Sequence, residues 1–177
     1  MNTKVKNICR IVWIAVALVA TVFTITDHAA FANGDGFPSA LFFTSWSVWI
    51  SLLAALVSFC LKSESETVKM WKMLLKFSAI IMMIATFVVS GFVLPDKLWK
   101  AGYWKAGSIF KHFLLPIITV ADTIMFDEKG SYKVCFPFGG LVAPLAYWIV
   151  VVTRFVTFRN ANGGSIPENL QGFYYPY

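Results

Sequence analysis

Charge is scarce in this chain. Asp, Glu, Lys and Arg make up 14% of its 177 residues, where a soluble domain carries about 25%. That shortfall excludes most soluble-enzyme templates, and it also excludes disorder, which needs high charge and few apolar residues. Histidine is rarer still. Only His28 and His112 occur, so a bis-histidine haem would consume both and a multi-histidine metal site has too few ligands. His28 stands next to Asp27 in what reads as a solvated loop. Three cysteines, Cys9, Cys60 and Cys135, make no disulfide scaffold and suit free thiols at cytoplasmic helix ends. Gly-x-Gly-x-x-Gly, Walker, Cys-x-x-Cys and His-Glu-x-x-His motifs are all missing, as is any internal repeat. No cofactor and no metal are expected.

What the chain has instead is apolar length. Hydrophobic residues make up 58% of it, and they fall into stretches that match the roughly 20 helical residues needed to cross a hydrocarbon core of about 30 Å. Five spans are expected, over about 9–27, 40–61, 75–95, 109–127 and 136–156. The fold class is therefore all-α, a single polytopic bundle of transmembrane helices. The fourth span is the least apolar, because Lys111, His112 and Asp122 lie in it, and a re-entrant segment is its alternative. Ala30-Phe31-Ala32 has the small-x-small form of a signal cleavage site, but the first apolar run reads as a retained helix of a polytopic protein.

The net charge of +6 would suggest nucleic acid in a soluble protein. Here nucleic acid is set aside, since basic residues flanking apolar runs face anionic head groups on the cytoplasmic side. Lys4, Lys6 and Arg10 precede the first span, no Lys or Arg lies between Asp27 and Ser39, and Lys62, Lys69 and Lys72 follow the second. This places the N-terminus in the cytoplasm, in a cell membrane. Lys97, Lys100, Lys105 and Lys111 oppose that count, and with Trp99, Tyr103 and Trp104 the loop reads as a short interfacial helix.

Alternating helix direction then sets depth. Thr44 and His112 enter the second and fourth spans from the same side, and Ser90 and Arg154 return to that side near the ends of the third and fifth. Pro116 has no N–H for the carbonyl of His112, four residues earlier, which opens the backbone at an ionisable ring. A kinked interfacial histidine is the plain alternative. Thr44, in Phe42-Phe43-Thr44-Ser45-Trp46-Ser47, is either helix glue or a nucleophile with His112 as its base. Asp122 lies ten residues beyond His112, about 15 Å along a helix, too far to orient that ring. It needs a proton, a hydrogen bond to Tyr147, Thr119 or Thr123, or a basic partner. Arg154 either snorkels to the interface or grips a ligand carboxylate.

Taken in order, Phe43-Thr44 with Ser47, His112-x-x-x-Pro116, Asp122, Pro144-Leu145-Ala146-Tyr147 with Arg154, and Tyr175-Pro176-Tyr177 resemble the androgen-induced and androgen-dependent membrane protein family, in its small prokaryotic branch. The resemblance runs from about residue 40 to the C-terminus. It implies an intramembrane threonine hydrolase of lipid esters, such as fatty acid esters of hydroxy fatty acids. Thr44 would be its nucleophile and His112 its general base. Arg154, Ser47, Asp122 and Tyr147 would line the substrate site, and Met82, Met83, Phe87 and Phe92 a lipid tunnel. It also implies a further helix beyond Tyr177. The competing class is a non-enzymatic lipid-binding or transport-like protein in which His112 and Asp122 relay protons.

Overall fold

The computed structural model describes residues 3–31, 42–62, 65–93, 106–127, 130, 132, 136–161 and 163–164. Helix α1 spans Thr3–Phe31 and α2 Phe43–Cys60. Helix α3 spans Glu66–Val88 and continues into a π-helical turn, Val89–Val93. Helix α4, Ala106–Phe126, contains a second π-helical turn at Phe110–Leu114, and α5 covers Phe136–Ala161 with a break at Leu141. Among the described residues there is no strand. All five helices are long and apolar enough to cross a membrane, so this is an all-α integral membrane protein. The interfacial helix expected around Trp99 to Trp104, Cys135 and the terminal Tyr175-Pro176-Tyr177 lie outside the described residues.

The helices outrun the apolar stretches that announced them. Helix α1 runs on through His28, which the sequence placed in a loop, and α3 begins at Glu66, well before the expected 75. Once a helix is nucleated each further residue adds a hydrogen bond for little cost, so α3 includes Lys69 and Lys72 although they precede its apolar run. The fourth segment is a helix of spanning length.

Helices α1 to α4 close a ring in which each packs on the next and α4 returns to α1, while α5 lies outside against α3. Small residues permit the close approach: Ala17, Ala20, Ala54, Ala55 and Ala79 are buried around Trp13, Met83 and Leu115. Large apolar side chains such as Val22, Leu53, Ile84, Ile117, Ile124 and Ile149 face outward, as lipid-facing positions do. Gly139 and Gly140 bring α5 against α3; a Cβ on Gly140 would lie 2.5 Å from the Phe77 ring and 2.9 Å from Ile81.

Candidate functional site

A seam of polar side chains runs along the inside of the ring. Serine and threonine in bilayer helices bond back to the carbonyl one turn earlier when nothing better is offered, as Thr21, Thr24 and Ser78 do here. At the inner seam these hydroxyls also meet across helices. Ser47 donates to the Phe43 carbonyl at 2.8 Å and accepts from Thr86 at 3.0 Å. Thr119 donates to the Leu115 carbonyl at 2.8 Å, so the 2.9 Å contact between Ser51 and Thr119 has Ser51 as donor, while Trp13 Nε1 donates to Ser51 at 3.1 Å.

At one end of the seam stands His112. Pro116 cannot bond to its carbonyl, and the helix accommodates this by widening: the amide of Leu115 reaches back five residues to Phe110. The imidazole is thereby placed against α3, where its Nδ1 lies 2.6 Å from the hydroxyl of Ser90, a residue in the other π-helical turn. The common depth expected for Ser90 and His112 is thus a direct contact. Thr44 is half-buried in the first turn of α2, and α2 touches the π-helical turn that carries His112. Tyr147 packs its ring edge-on to Phe43 at 5.1 Å and to Trp46 at 5.9 Å, which brings α5 alongside the entrance of α2. Tyr147 is therefore no partner for Asp122. Arg154 is exposed and lies seven residues beyond Tyr147, about 10 Å further along the helix. It overshoots the level of Phe43 instead of sharing it. Of the four residues expected to line a lipid tunnel, Met82 and Met83 are core, Phe87 stacks on Phe92 and Phe113, and Phe92 points outward.

The other end of the seam carries charge. Asp122 takes the basic partner: Lys76 Nζ lies 2.6 Å from Asp122 and 2.6 Å from Asp127, and Arg10 Nε lies 3.6 Å from the second Asp122 oxygen. Arg10 also donates to the Ser58 carbonyl at 2.7 Å, and Lys76 stands 5.9 Å from the centre of the Trp13 ring. Two cations thus meet two carboxylates, as burial requires. Beyond the bundle, Tyr132 donates to Asp127, and burial first, then that carboxylate, hold its phenol well above the ordinary tyrosine range. The sequence reading found Asp122 but missed Lys76 and Arg10, because each lies where an apolar run begins. The signal was available: a carboxylate deep in one span calls for a cation at equal depth in another. Among the described residues no group of three His, Cys, Asp or Glu could hold a metal.

No protein-family model, curated protein or solved structure matches this chain.

Proposed function

We propose that this protein is an intramembrane hydrolase of lipid esters, with His112 as general base for a hydroxyl nucleophile, the place that the resemblance gives to Thr44. The observation that supports the reading is the imidazole of His112 set against a hydroxyl at 2.6 Å inside a helical bundle. An ester that is soluble only in the bilayer would reach such a pair laterally, without entering water. Serine and threonine are poor nucleophiles at neutral pH, and an adjacent imidazole is the ordinary means of activating one. The substrate would be a fatty acid ester of a hydroxy fatty acid or a similar lipid, and the setting a prokaryotic cell membrane with the N-terminus inside. The basic residues Lys4, Lys6, Arg10, Lys62, Lys69 and Lys72, at the end of the bundle where α1 and α3 begin and α2 ends, support that orientation.

The Ser51–Thr119 pair favours one other reading. It stands between the Lys76–Asp122 pair and His112, where a proton relay would need a carrier. Purified protein in liposomes separates the two. In a hydrolase, His112→Ala abolishes cleavage of a fluorogenic hydroxy fatty acid ester while Asp122→Asn retains most of it. Full turnover by folded His112→Ala ends the hydrolase reading, and a proton flux present in the parent and lost in folded Asp122→Asn supports the relay.

A further inference from the structure

We propose that Ser90 is the acyl-accepting nucleophile of this site, an inference that rests on the hydrolase reading and changes the residue that carries its first step. Among the described residues, the buried hydroxyls of Thr24, Ser47, Ser78 and Thr119 bond back to a carbonyl one turn earlier. Ser90 departs from that habit. It is buried, at 5% exposure, and its hydroxyl meets the imidazole of His112 at 2.6 Å. In the tautomer that leaves Nδ1 unprotonated, Ser90 donates to it, and its proton then points at the base that would take it.

The backbone makes the same point independently. Both partners sit in π-helical turns, Val89–Val93 on α3 and Phe110–Leu114 on α4. Such turns are uncommon and concentrate at functional sites. Proline accounts for the turn in α4; no proline lies within the described α3. There Ser90 is followed by Gly91, and a Cβ built on Gly91 would meet nothing within 4 Å, so close packing does not explain the glycine in this turn.

The chemistry balances without a further reactant. His112 Nδ1 takes the Ser90 proton as Oγ bonds to the ester carbonyl carbon. The C–O bond to the alcohol half then breaks, and the alcohol leaves with that proton. Water attacks the acyl-serine, gives a proton to Nδ1 and releases the fatty acid, and the proton returns to Ser90.

The test is the site of covalent capture in the parent protein. A long-chain alkyl fluorophosphonate loses fluoride to the attacking oxygen and marks it permanently; digestion and mass spectrometry then locate the phosphonyl group. Ser90 is expected to carry it, with labelling lost in Ser90→Ala and His112→Ala. Turnover should fall to the uncatalysed rate in Ser90→Ala. An adduct on Thr44 that persists in Ser90→Ala overturns this assignment and leaves the hydrolase reading standing. A parent that neither labels nor turns over ester removes both.

Discussion

At the scale of single residues, the decisive event in this molecule is the meeting of Lys76 with Asp122. Both side chains are almost wholly buried, and the ammonium also holds Asp127. Removing one partner strands the other in a poorly solvated interior, which costs about 3–5 kcal/mol, whereas replacing both with apolar side chains of similar size is close to neutral. Lys76→Met and Asp122→Leu should therefore each lower the thermal unfolding midpoint in detergent sharply, and the double variant should recover part of the loss, since Arg10 and Asp127 lose their partners in it. Equal losses that simply add in the double variant would show that the two do not act as a pair. The sequence exposed half of this arrangement. Asp122 stands out in an apolar span and calls for a proton, a hydrogen bond or a basic partner, but hydropathy assigns Lys76 and Arg10 to the margins of their helices and says nothing about which margins meet. Ser90 was likewise placed at the depth of His112 by counting, and only the packing of α3 on α4 turned shared depth into a hydrogen bond.

Among the elements, the number of helices and their approximate positions were legible because a spanning helix must satisfy all its backbone groups internally and therefore announces itself by apolar length. Their ends were less legible, since Glu66 to Leu75 and Thr3 to Ile8 are helical without being continuously apolar. The π-helical turns were partly visible: Pro116 pointed to disturbed bonding at His112, while nothing in Val89-Ser90-Gly91 announced its counterpart. The attachment of α5 is the most vulnerable contact. It rests on α3 through Gly139 and Gly140, and an added methyl at Gly140 meets the Phe77 ring, so Gly140→Ala should cost about 1–3 kcal/mol, the usual range for overpacking. Protease sensitivity of the segment before α5 should rise in that variant. If the unfolding midpoint and the cleavage pattern both match the parent, the close approach of α5 is not tight.

For the whole molecule, the arrangement is a polar seam wrapped in small apolar residues and then in large ones, with the Lys76–Asp122–Arg10 cluster at the end where α1 and α3 begin. Cys60 is exposed at that same end. In a variant that keeps Cys60 as the sole cysteine, a membrane-impermeant maleimide should label inverted vesicles and spare intact cells, and the reverse pattern would turn the topology over. The ion pair also has a consequence for how the protein is made. Lys76 and Asp122 are 46 residues apart, and a ribosome extending the chain at about 5–20 residues per second separates their arrivals by roughly 2–9 s. Throughout that interval α3 is in the bilayer with an ammonium group that has no carboxylate from α4 to meet. A nascent chain arrested before Asp122 therefore carries on Lys76 a charge whose carboxylate on α4 has not yet been made, so the pairing of α3 with α4 comes late in assembly.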